Sequence, residues 1–126
     1  LVLALSTHSK SLTNHPSTAA ALCRAVPRLG LTLDPSHYIN GPFQGDGWDD
    51  LYPFVQNVHF RDTGKNPHEF QVRVGQGQIE YNKIINFLSR HGYDRGLTVA
   101  ILDQIENPFE VEVEVRKLKL LLESLL

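Results

Sequence analysis

The sequence predicts an α/β chain of parallel strands joined by right-handed crossovers, and three observations carry that expectation. Short apolar segments stand at 1–5, 31–34, 55–60 and 97–102, each of strand length. Segments with apolar residues at helical spacing, or a loop followed by such a segment, come after each of them. The first segment, Leu1 to Leu5, is continuously apolar, as expected for a strand covered on both faces in a parallel sheet. Strands alternating with helices in this order pair in parallel, with right-handed connections.

Taken in order, the strand 1–5 leads into an exit loop from Ser6 to His15. Pro16 suits a first helical turn, and Ala20, Cys23 and Val26 continue with helical spacing until Pro27. Gly30 opens the second strand, Leu31 to Asp34, which ends on an acid, and a long loop runs from Pro35 to Gly47. Trp48 to Phe54 forms a short helix limited by Pro53, and Val55 to Phe60 is the third strand. The stretch 61–78 is rich in Gly, Asn and Pro and longer than ordinary connections, a mark of functional loops; Phe70 to Arg73 extends briefly within it. Ile79, Ile84, Ile85 and Leu88 give one face of a helix that stops at Gly92. After the fourth strand, Leu97 to Leu102, a helix is expected from about Pro108 to the end. There Val111, Val115, Leu118, Leu122 and Leu125 form a stripe, which outweighs the strand-like alternation of 111–115.

The 126 residues, 41% hydrophobic and 21% charged, fit one domain, 1–126. A net charge of -2 without a basic stripe argues against a nucleic-acid partner, and no apolar run reaches membrane-spanning length. The single Cys23 in an Ala-rich run reads as a small buried hydrophobe in a reducing compartment, and the cytoplasm is the expected location. The chain starts on Leu1 inside a strand-like run and contains no Met, which reads as a fragment.

No Gly-rich dinucleotide fingerprint follows the first strand, so the strands read as part of a (β/α) barrel of the TIM type, about four of its eight units. In such barrels the chemistry lies at the C-terminal strand ends. Those ends here carry Ser6 and His8, Asp34 and His37, His59 with Arg61 and Asp62, and Asp103. Each has an ordinary reading: Asp34 as a turn residue before Pro35, His37 as a loop histidine, His59 as a satisfied core histidine. Imidazole and carboxylate on adjacent strands are also the donor types that Mn, Co, Mg or Zn accept.

The order Leu-Asp-x-x-His at Leu33 to His37, Val-His-x-Arg-Asp at Val58 to Asp62, Arg-Val-Gly-Gln-Gly-Gln-Ile at Arg73 to Ile79 and Gly-Tyr-Asp-Arg at Gly92 to Arg95 resembles the sugar-phosphate isomerase and epimerase family of xylose isomerase-like TIM barrels. The resemblance covers nearly the whole chain and aligns it with the C-terminal half-barrel. It implies a divalent-metal-assisted proton transfer through an enediolate on a small sugar or sugar phosphate. It implies Asp34 and His59 as metal ligands and His37 and Arg73 as substrate contacts; where the family's ligands are missing, His8 is the expected metal ligand in their place. The turn Gly75 to Gly77 would present the long loop over the site, or be an ordinary turn before a helix.

Two positions depart from that pattern. Ser6 and Ala100 stand where the family places glutamates that complete the metal shell and move the proton, and neither can serve as a base. Asp103 or Glu106 would have to reach in from the next loop. The alternative is therefore a catalytically degenerate half-barrel that binds a sugar or a metal. Four units also leave strand edges unpaired, so a homo-oligomer covering them is expected.

Overall fold

The computed structural model describes residues 1–126. Its strands are β1 (Leu3–Ser6), β2 (Leu29–Leu33), β3 (Val55–Phe60) and β4 (Leu97–Val99), and its helices α1 (Pro16–Ala25), α2 (Ser36–Ile39), α3 (Tyr81–Arg90) and α4 (Val111–Leu125). Short 3-10 turns occupy Leu12–Asn14 and Asp49–Phe54. The strands form one sheet in the order β1-β2-β3-β4, and every neighbouring pair is parallel, as the strand-helix alternation predicts.

Local chemistry sets the element ends. Pro16 takes the first turn of α1, where its missing N–H costs nothing, and the His15 ring accepts the Ser17 N–H. The buried face of α1 is Ala19, Ala20 and Cys23, small enough for close approach to the sheet. α3 buries Tyr81, Ile84, Ile85 and Leu88 on one stripe. It stops at Gly92, whose φ of 71° is left-handed, while the Tyr93 N–H returns to the Leu88 carbonyl at 3.0 Å. In α4, Leu118 and Leu122 face the core, so helix wins over the strand-like alternation of its first five residues.

Leu31 and Leu33 of β2 and Val58 and Phe60 of β3 are completely buried, and Phe60 meets the Tyr81 ring edge-on at 5.4 Å. Each such side chain contributes about 1.5–3 kcal/mol by leaving water, and Phe60→Ala would cost about 3–5 kcal/mol. Because side chains alternate along a strand, burying these four turns Thr32, Asn57 and His59 to the opposite face. Asn57 Nδ2 lies 3.2 Å from His59 Nε2 there, and Thr98 Oγ1 lies 3.4 Å from Asn57 Oδ1. That face is polar and only partly covered.

The register of β2 on β3 slips between Leu31 and Thr32. A Cβ on Gly30 would collide with the Gln56 side chain beside this irregularity, which explains the glycine there.

Three expectations need correction. β1 is not covered on both faces: Leu3 is 71% exposed at the start of this edge strand, and only Leu5 packs partly against the core. β4 ends at Val99 instead of Leu102. The Ala100 N–H still reaches the Phe60 carbonyl at 2.8 Å, but the Leu102 N–H goes to the Gln71 side chain at 2.7 Å. Phe70 to Arg73 forms no strand; the Val72 N–H bonds the Asp62 carbonyl and folds the long loop back over β3.

Candidate functional site

The C-terminal ends of β1, β2 and β3 converge on a buried polar cluster centred on Asp34. Thr7 continues the ladder past β1 with its N–H on the Thr32 carbonyl, and its hydroxyl accepts the Asp34 N–H at 2.8 Å. This fixes the Asp34 backbone. One carboxylate oxygen, Oδ1, receives the Ser36 N–H at 3.2 Å and the Ser36 hydroxyl, the local turn expected of an Asp before Pro. The other, Oδ2, receives Arg61 Nη1 at 2.7 Å.

Arg61 is held on three sides. Nη1 also donates to Ser36 Oγ at 2.6 Å, and Nε donates to the Ala100 carbonyl at 2.8 Å. The Phe70 ring lies over the guanidinium, 4.9 Å from ring centre to Cζ. Arg61 and Asp34 are about 5% and 4% exposed, so the pair replaces water with a partner of opposite charge on each side.

His37 adjoins the pair. Its Nδ1 accepts the Ser9 N–H at 3.1 Å, so in the neutral ring the proton sits on Nε2, which points toward Asp34 Oδ2 at 3.9 Å. Burial lowers the His37 pKa to about 4, against the upward pull of Asp34 and with further lowering from His8 and Arg61. At neutral pH the ring is therefore uncharged and offers one N–H donor. His8 and Phe70 flank it, with ring centres 4.0 and 4.8 Å away. His8 is exposed, and its Nδ1 accepts the Lys10 N–H at 3.0 Å.

Of the expected site residues, the structure thus gathers Asp34, His37 and His8. His59 lies on the open face of β3 with its ring against Asn57. Arg73 is exposed and donates to the Pro108 carbonyl at 2.9 Å, tying the long loop to the segment before α4. Asp103 and Glu106 are exposed on the loop after β4. Arg61, Ser36, Thr7 and Ser9 are cluster members without an assigned role in the sequence. The signal for Arg61 was its position two residues after His59, on the same face of the strand line.

The long loop has its own anchors. Asp62, buried, accepts the Thr63 N–H through Oδ1 at 3.0 Å and the Gly75 and Gly77 N–H groups through Oδ2 at 2.7 and 3.2 Å. A Cβ on Gly77 would collide with Asp62 and the Thr63 backbone, so only glycine fits. Glu114 of α4, also buried, accepts the Val74 N–H and the Lys117 ammonium, both at 2.8 Å.

These residues do not fit a divalent cation as they stand. No group of three or more His, Cys, Asp or Glu side chains is placed to hold one. The single carboxylate of the cluster already accepts from a guanidinium, a hydroxyl and an amide. What the arrangement provides is a set of fixed donors, Arg61 and neutral His37, beside an aromatic wall.

Residues 1–121 match the family described as xylose isomerase-like TIM barrel, and the chain belongs to that family. Among solved structures it is similar to a D-tagatose 3-epimerase-like protein, with TM-score 0.68 and 20% identity, covering 99% of this chain and 48% of that one. An L-ribulose 3-epimerase gives TM-score 0.68 and 18% identity over the same shares, 99% and 48%. A 3-keto-D-glucoside 4-epimerase from E. coli gives 0.64 and 16%, covering 95% and 45%. At these identities the likeness concerns the fold, and the chain spans about half the length of the epimerases it matches. No curated protein matches the sequence significantly. The four parallel strands correspond to half of a barrel.

Proposed function

We propose that this chain forms the sugar-holding C-terminal face of a sugar isomerase/epimerase-like protein. The observation that carries this reading is the buried strand-end cluster of Asp34, Ser36, His37 and Arg61, at the position where barrels of this type do their chemistry. Small sugars are recognised by fixed donors and acceptors beside an apolar ring, and Arg61, His37 and Phe70 supply that combination.

Moving a proton next to a carbonyl requires a base within hydrogen-bonding reach and a donor for the developing oxyanion. His37 Nε2–H suits the donor role. No base is free in the cluster: Asp34 is paired, the Nδ1 atoms of His37 and His8 accept the Ser9 and Lys10 N–H groups, and Ser6 and Ala100 bring no carboxylate. The residues of this chain therefore bind and orient, and the degenerate sugar-binding reading is favoured over proton transfer by these residues alone.

The test is binding of a panel of ketohexoses and ketopentoses, free and phosphorylated, followed by amide shifts of Ser9, Asp34 and His37. Binding that perturbs those amides and weakens at least about tenfold in His37→Ala is expected. Sugar binding that leaves them unmoved, or none across the panel, overturns the reading.

We further propose that the outer edges of β1 and β4, each without a neighbour, are covered by a second copy. A reducing compartment such as the cytoplasm is supported by the unpaired, buried Cys23. No helix is long and apolar enough to cross a membrane.

A further inference from the structure

We infer that Arg61 takes the place of a divalent cation in this chain, so that the positive charge of the strand-end site is built into the protein. The inference concerns the charge of the site and holds whether or not a sugar is its ligand. Three observations support it. Nη1 of Arg61 makes with Asp34 Oδ2, at 2.7 Å, the contact a cation would need, and the pair is buried. A dication sitting against the guanidinium meets repulsion between like charges, and one displacing it forfeits the contacts of Arg61 with Asp34, Ser36 and Ala100.

The second observation is the space around the side chain. The register Phe60↔Val99 brings Arg61 alongside Ala100, where the family resemblance leads one to expect a glutamate. Nε uses the Ala100 carbonyl at 2.8 Å, and Cζ lies 4.9 Å from the centre of the Phe70 ring. A longer acidic side chain at 100 would compete with Asp34 for the guanidinium.

The third is the donor inventory. Nε and Nη1 are engaged, whereas Nη2 makes no protein hydrogen bond and is not among the buried unpartnered atoms, so it is open to a ligand oxygen. His59, the residue that would join Asp34 on a metal, turns to Asn57 instead.

The experiment follows the amide resonances of Asp34, Ser36 and His37 in the nitrogen-15-labelled, EDTA-treated full chain while Mn2+ is added up to one equivalent. Bound Mn2+ broadens amides around its site beyond detection. In the wild type these three amides are expected to persist; their selective loss would overturn the inference and restore a metal site on Asp34. In Arg61→Gln, shown to be folded by its own spectrum, the same amides are expected to broaden at one tenth or less of the Mn2+ that leaves the wild type intact. A folded Arg61→Gln that stays unbroadened also overturns the inference. Should that variant not fold, the wild-type titration decides alone. Failure to bind sugars would leave this outcome untouched.

Discussion

Asp34 and Asp62 sit just beyond β2 and β3, equally out of solvent, and do opposite things. Asp34 is matched by a guanidinium whose remaining amino group is open to a ligand; Asp62 is matched by backbone N–H groups of Thr63, Gly75 and Gly77 and has only loop to hold. Burial and charge alone do not mark a functional carboxylate. The nature of the partner does, since a side-chain cation can be shared with a substrate and an amide inside a turn cannot.

The comparison breaks most sharply at Arg61. Arg61→Met leaves Asp34 buried without its cation and should destabilise by about 3–5 kcal/mol in urea unfolding, whereas Asp34→Ala with Arg61→Met should recover part of that loss. Near-additive losses would mean that the pair is not coupled. Asp62→Ala removes an acceptor from three amides and should cost about 2–3 kcal/mol, while opening 64–78 to proteolysis before the rest of the chain. Unchanged cleavage of that loop would show that Asp62 does not hold it.

Two smaller effects depend on pH. Burial raises the Glu114 pKa, but the Lys117 hydrogen bond, the Val74 N–H and the charges of Lys117 and Arg73 outweigh it, leaving the pKa below the ordinary 4.5. Its stabilising contribution is therefore complete above 4.5 and is lost as pH falls through the lowered folded value. Glu114→Gln should cost about 1–2 kcal/mol at neutral pH and flatten the acid limb of the urea midpoint against pH. A wild-type slope retained in the variant would remove Glu114 from the account.

His37, lowered from 6.5 to about 4, contributes stability that is complete above 6.5 and is lost as pH falls from there toward 4. Its ring resonances should titrate near 4, and titration near 6.5 would place the ring in water. The smallest effect concerns the sheet edges. Light scattering should give a mass above the 14.2 kDa of one chain, and a monodisperse monomer would refute association through those edges.

Much of this was legible in the residues. β3 was readable from Val55 to Phe60, and α1 and α3 from Pro16, Pro27 and Gly92, because prolines, glycines and apolar spacing act locally. Asp34 and His37 were readable as strand-end polar residues for the same reason. The role of Arg61 was not, since its partners lie 27 residues before it and 39 after it. Nor was the displacement of Arg73 onto Pro108, because a flexible side chain follows whatever carbonyl its loop brings near.

The sequence by itself determined the alternation of strand and helix, the parallel sheet and the presence of polar residues at the strand ends, all encoded in short-range spacing. Only the tertiary structure decided which carboxylate meets which cation. Contacts across strands depend on register, and here Arg61 meets the Asp34 carboxylate on one side and the Ala100 carbonyl on the other.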